Sequence, residues 1–167
     1  RQIIDNDKLQ LVYVNDIVND INNLCYLYNY DSTYRQPNKK AEVISGKKLL
    51  VGNNEIDFSF EKNILDVPWE DQEVEILIDS SGVKENTSLS RKLIQNKKII
   101  KYIVTNSPEK KNIDKYIVMG INENDYDSSL DHSISSSICD VNAIAHPLNW
   151  IEKEIGIISG FFTTLHP

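Results

Sequence analysis

The apolar positions along this chain fall into short blocks separated by polar turns, and the spacing inside each block predicts its element. Residues 1–8 read as the end of a helix, with Asp5-Asn6 as its stop. Leu9 to Val14 is a short run rich in β-formers that ends at Asn15-Asp16, the pattern of a strand buried on both faces of a parallel sheet. From about Asp20, Ile21, Leu24, Cys25, Leu27 and Tyr28 recur at helical spacing on one stripe, which assigns Cys25 to a core. Ala41 to Phe60 alternates between turns at Ser45-Gly46 and Gly52-Asn53-Asn54, predicting short antiparallel strands. Trp69, beside Pro68, is expected to be a packing anchor. Further along, strands are predicted at 75–79, 99–105 and 115–122, with a helix near Asn86 to Gln95. A last helix begins at Cys139 and yields at Gly156 to an apolar strand running to His166. Strands alternating with helices through short connections indicate an α/β fold with a parallel sheet.

Composition narrows the function classes. The chain has 167 residues, enough for a substantial core, and a net charge of −7 with its basic residues scattered among acids. Phosphate-backbone binding needs a basic face, so nucleic acid is not an expected partner. No apolar run approaches the roughly 18 residues of a membrane span, and no secretory signal opens the sequence, so no membrane partner is expected. The two cysteines, Cys25 and Cys139, lie in different elements. No disulfide framework or zinc-type spacing is indicated, and a reducing cytoplasm suits a reactive thiol. The chain opens on Arg1 and closes just past a candidate catalytic residue; both ends look cut, and the expectation is a fragment.

Three places could carry chemistry. Ser135-Ser136-Ser137-Ile138 leads into Cys139 at a helix start, where unpaired N–H groups and the helix dipole favour a thiolate. A histidine brought near, His166, could accept and return a proton; the alternatives are a small buried thiol and a surface imidazole. Asp16 closes a predicted strand, where an acid can accept hydrogen bonds from the adenine ribose of a dinucleotide, or simply close an Asx turn. Ser81-Gly82 follows another strand, where small residues let a cofactor lie against the backbone, or where Ser caps the next helix.

The order of these residues carries more than any one of them. Cys139, Asn142, Ala145, Gly156, Ile157, Gly160, Thr163, Thr164 and His166 fall without a gap on a pattern close to Ser-Cys-Thr-Thr-Asn-Cys-Leu-Ala-Pro followed by Thr-Thr-Val-His. Val14-Asn15-Asp16, Tyr30-Asp31-Ser32-Thr33, Asp79-Ser80-Ser81-Gly82-Val83 and Val118-Met119-Gly120-Ile121-Asn122 extend the match upstream. The sequence thereby resembles the phosphorylating glyceraldehyde-3-phosphate dehydrogenase family over essentially its whole length. That resemblance implies a partial Rossmann-type domain over 1–138, its first strand lying upstream. The start of an α+β catalytic domain, a helix and a strand carrying the Cys and the His, follows over 139–167. It implies NAD as cofactor, with Asn15, Asp16, Ser81, Gly82 and Thr105 around it, and Asp16 disfavouring a 2′-phosphate. It implies Cys139 as nucleophile toward a sugar-phosphate aldehyde, His166 as acid/base, inorganic phosphate as acceptor, and a homotetrameric parent protein. Which phosphorylated aldehyde is used stays open, since erythrose-4-phosphate enzymes share these motifs.

The departures from the pattern are specific. No Gly-x-Gly-x-x-Gly occurs among the six glycines, so the phosphate-cradling turn is not encoded in this stretch. Asp140 stands where the family has a Thr; a carboxylate there repels phosphate and disfavours the adjacent thiolate, while suiting the helix N-terminus. Ile17, Arg35, Lys84, Glu123, Ile138 and Ala143 replace the usual Pro, Gly, aromatic, His, Ser and second Cys. His146, a helix turn or so past the thiol, is expected to have a surface or packing role. Three readings follow: a dehydrogenase seen in part, with this chain alone inactive; a dinucleotide-binding homologue without phosphorylating activity; or a non-enzymatic scaffold.

Overall fold

Among the described residues there are two four-stranded sheets, one accompanied by a single α-helix and the other by two. The computed structural model describes residues 1–165, and the chain divides at residue 74 into a unit Arg1–Val74 and a second unit from Glu75 onward.

In the first unit, β1 (Tyr13–Asn15) leads to α1 (Ile21–Asn29), then to a meander of β2 (Ala41–Ser45), β3 (Lys48–Val51) and β4 (Asn54–Ser59). The strand order is β1-β4-β3-β2, with β1 parallel to β4 and the other pairs antiparallel. Asp20 starts α1, its carboxylate accepting from the backbone N–H groups of Asn22 and Asn23, both at 3.1 Å. Most of the stripe read from the sequence faces the core: Ile21 and Cys25 are buried against Ala41, Leu49, Val51, Ile56 and Phe58, Leu24 and Tyr28 pack beside them, and Leu27 is exposed instead. Asn29 fixes the helix end to β2 through both its amide atoms, donating to the Ala41 carbonyl at 2.9 Å and accepting from the Ala41 N–H at 2.8 Å. Trp69 is buried, donates its indole N–H to the Ile64 carbonyl at 2.8 Å, and meets the Tyr13 ring edge-on at 5.8 Å.

The second unit holds β5 (Ile76–Asp79), α2 (Lys84–Gln95), β6 (Lys101–Val104), β7 (Lys115–Tyr116), β8 (Ser133–Ser135) and α3 (Cys139–Glu154). All its strand pairs are parallel, in the order β5-β6-β8-β7. Leu77, Asp79, Tyr102, Val104, Ser133 and Ser135 are buried, together with Asn86, Thr87, Ser90 and Leu93 of α2. The layer between sheet and helix is therefore unusually polar, and backbone groups meet several of its hydroxyls: Ser90 donates to the Thr87 carbonyl at 2.8 Å, Ser135 donates to the Asn106 carbonyl, and Ser133 accepts from the Asp114 N–H at 3.1 Å. This is the parallel α/β architecture expected of a Rossmann-type domain.

Several expected elements differ. Residues 2–5 form a turn instead of a helix end, and β1 starts later than Leu9. The strand read over 115–122 stops at Tyr116 because the Asn122 side chain takes over the ladder's groups. It donates to the Tyr116 carbonyl at 2.9 Å and accepts from the Val118 N–H at 2.8 Å. The strand expected after Gly156 does not form among the described residues: 157–165 has no regular structure, and Ile158, Phe161 and Leu165 are exposed. An apolar run becomes a strand only where another strand accepts its hydrogen bonds, and none does so here. Ser133–Ser135, which carried no apolar signal, is a buried central strand instead.

Candidate active site

Strand topology in the second unit brings Ser81, Gly82, Thr105 and Cys139 to one end of its sheet. Because β5, β6 and β8 are adjacent and parallel, their carboxyl ends lie side by side. Ser81-Gly82 follows β5, Thr105 follows β6 and Cys139 follows β8. With neighbouring strands about 4.8 Å apart, the three exits span roughly 10 Å. The carboxyl ends of the strands are the side on which open α/β sheets bind ligands.

Each exit is built by specific bonds. After β5, the Asp79 carboxylate accepts the Ser81 N–H at 2.9 Å and the Ser81 hydroxyl at 2.6 Å. Gly82 then adopts φ +75°, and a Cβ added there would meet nothing within 4 Å. Glycine is thus required by backbone conformation, and the space in front of it is open. Thr105 is exposed and donates its N–H to the Asp79 carbonyl at 3.1 Å, tying the second exit to the first.

The third exit carries the thiol. Ser136 continues the β8 pairing by donating its N–H to the Val104 carbonyl at 3.0 Å, and Ser137 turns the chain with φ 66°. Helix α3 begins at Cys139, which is exposed, with Asp140 in its first turn. Asn142 locks this approach by donating its amide to the carbonyls of Ser136 at 3.0 Å and Ile138 at 2.9 Å. The sequence marked Asn142 only as a match to a pattern; a short polar side chain one turn into a helix is the signal for such a back-bond. The thiol donates to the Asp140 carboxylate at 3.9 Å. His146 lies two turns further on, about 10 Å along the axis, and its ring packs over Gly120, where an added Cβ would stand 2.8 Å from Cε1. It is an exposed side chain that rests on Gly120. His166 lies outside the described residues.

In the first unit, Asp16 and Asn15 sit at the carboxyl end of β1. Asp16 Oδ1 accepts the Val18 N–H at 2.8 Å in an Asx turn. Asn15 latches β1 to the chain beyond β4, accepting from the Ser59 hydroxyl at 2.6 Å and the Glu61 N–H at 2.9 Å, and donating to the Glu61 carbonyl at 2.9 Å. Cys25 is buried, donates to the Ala41 carbonyl at 3.3 Å, and has its thiol pushed up by burial first and by the Glu42 charge second; it is the inert cysteine of the pair. Among the described residues no three His, Cys, Asp or Glu side chains are grouped to hold a metal ion. No described helix is long and apolar enough to cross a membrane.

Comparison with known proteins gives the family. Residues 1–87 match the family described as glyceraldehyde 3-phosphate dehydrogenase, NAD binding domain. The chain belongs to the glyceraldehyde-3-phosphate dehydrogenase family. It is 32% identical over 168 residues to glyceraldehyde-3-phosphate dehydrogenase of Chlamydia muridarum, covering 99% of this chain and 48% of that protein. It is 30% identical over 166 residues to the enzyme of Geobacillus stearothermophilus, covering 99% and 48%. Against glyceraldehyde-3-phosphate dehydrogenase 1 of Globodera rostochiensis the figure is 29% over 170 residues, covering 99% and 51%. The chain spans about half the length of the curated relatives it matches.

The matched domain is one that binds NAD, and the residues here fit that group in part. The open glycine at 82 and the small residues leaving β5 and β6 leave room for a cofactor lying against backbone. The pyrophosphate cradle has no counterpart among this sequence's glycines.

Proposed function

We propose that this chain forms the NAD-binding part, over 1–138, and the beginning of the catalytic part, over 139–167, of a cytoplasmic dehydrogenase. The enzyme oxidises a phosphorylated aldehyde of the glyceraldehyde 3-phosphate type. The observation that carries the reading is the alignment of Ser81-Gly82, Thr105 and Cys139 on three adjacent parallel exits. Cys139 is the nucleophile: its sulfur adds to the aldehyde carbon, and the carbonyl oxygen takes a proton to give a thiohemiacetal. NAD, when bound, would supply the hydride acceptor for this carbon, and Cys139 would retain the acyl group as a thioester. His166 holds the proton that leaves the hemiacetal hydroxyl, and inorganic phosphate displaces the Cys139 thiolate to give an acyl phosphate. Ser81, Gly82 and Thr105 position the cofactor at the carboxyl ends of β5 and β6.

The test is NADH formation at 340 nm by the protein carrying this chain, with aldehyde and phosphate supplied. Cys139→Ser should abolish it, and NAD should slow iodoacetamide alkylation of Cys139. Turnover surviving in Cys139→Ser would end the mechanism. A second reading, dinucleotide binding without phosphorylating activity, is favoured by the carboxylate standing 3.9 Å from the thiol. It is distinguished by NADH formation that does not depend on phosphate.

A further inference from the structure

The turn after β5 is held from below by a group that the sequence did not single out. Asp79 is only 8% exposed, and Tyr102, on the neighbouring strand, is 0% exposed. Register places Leu77 opposite Tyr102 and Asp79 opposite Val104, so the two side chains share a face as diagonal neighbours. A diagonal pair is about 7–8 Å apart at the backbone, a gap that a tyrosine can cross and a valine cannot. The phenol donates to Asp79 Oδ2 at 2.7 Å, while Oδ1 takes both the N–H and the hydroxyl of Ser81. The Ser81 oxygen in turn accepts from the Val83 N–H at 3.1 Å and from the Asn86 amide at 3.2 Å. Burial, and then the Asp79 carboxylate, push the Tyr102 phenol far above its ordinary range.

We infer that Tyr102 is a positioning residue for the cofactor turn. Its buried hydroxyl fixes the Asp79 carboxylate, which fixes Ser81 and so presets the open Gly82 for the dinucleotide. The inference rests on the proposed reading of Ser81-Gly82 as a cofactor turn. Its physical basis is the penalty on a buried acceptor that loses its donor. Without the phenol, Oδ2 is relieved only by turning toward water, and Ser81 is bonded to the same carboxylate. The chain after β5 then loses its fixed geometry, although Tyr102 itself is fully buried.

The experiment compares Tyr102→Phe and Gly82→Val with the parent protein, using amide hydrogen exchange and NAD titration by fluorescence. Tyr102→Phe should raise exchange at the Ser81 and Val83 amides about tenfold and leave the Ser136 amide within about twofold. That amide bonds to Val104 on the same strand as Tyr102. The variant should also weaken NAD binding about tenfold, which is about 1.4 kcal/mol. A uniform rise in exchange across β6 and β8, or none at Ser81, would overturn the positioning role. Weakened NAD binding in Gly82→Val but not in Tyr102→Phe would overturn it too, leaving the cofactor turn intact. If neither variant changes NAD affinity while Ser81 exchange rises, the cofactor reading of the turn is overturned instead, and the positioning of a cofactor falls with it.

Discussion

Replacing Asp140 with Thr should make Cys139 react faster. The thiol and the Asp140 carboxylate are 3.9 Å apart, and Cys139 is exposed, so the water-like limit of the dielectric applies. At that distance two unit charges repel by about 1 kcal/mol in water. Salt at 0.1 M screens over about 10 Å, so the repulsion is only modestly reduced. Alkylation proceeds through the thiolate, and removing about 1 kcal/mol of repulsion should speed iodoacetamide modification at pH 7 about three- to fivefold. Asp140→Asn should behave alike, since the effect belongs to the charge. The opposing term is the helix: an acid in the first turn of α3 contributes about 0.3–1 kcal/mol, so circular dichroism must show that α3 survives. The assay is the second-order alkylation rate from pH 6 to 9, followed by mass spectrometry, with buried Cys25 as a slow internal reference. An unchanged rate at pH 7 would refute the electrostatic reasoning. A fivefold rise that persists unchanged at the highest pH would refute it as well, because that signature belongs to access.

Two further outcomes concern stability. Arg35 adopts φ 59° where a glycine would carry no Cβ penalty; Arg35→Gly should raise the midpoint of thermal unfolding by roughly 1–4 °C, and a lower midpoint would contradict the strain argument. Burial pushes the Asp114 carboxyl up, but the Ser133 N–H and hydroxyl, the His132 N–H and the Arg91 guanidinium more than offset this, so it titrates below its ordinary range. The stability it contributes is therefore present above about pH 4 and is lost as pH falls through its lowered value. Asp114→Asn should destabilise the protein at pH 7, and urea titrations should show a smaller loss of stability between pH 4 and 2 than in the parent. An equal loss would sink the linkage.

What the sequence determined by itself was periodic or chemical. The α1 stripe, the hairpins over 41–60, the strand before Ser81-Gly82 and the helix beginning at Cys139 were all legible, because amphipathic spacing and turn residues are local signals. Ordered motifs also named the family before any geometry was known. Tertiary structure alone decided the rest. Ser133–Ser135 looked like a polar linker, yet it is a central strand, because its hydroxyls and backbone find partners in a polar layer that no single segment encodes. The run after Gly156 looked like a strand, yet none of its described residues pairs, because strand formation depends on a neighbour supplied from elsewhere in the chain. Tyr102 read as one more β-former, and only the register of β5 against β6 turns its hydroxyl into a brace for Asp79. Residue type fixes what a side chain can donate or accept; which partner stands within 3 Å is set by how distant strands are brought side by side.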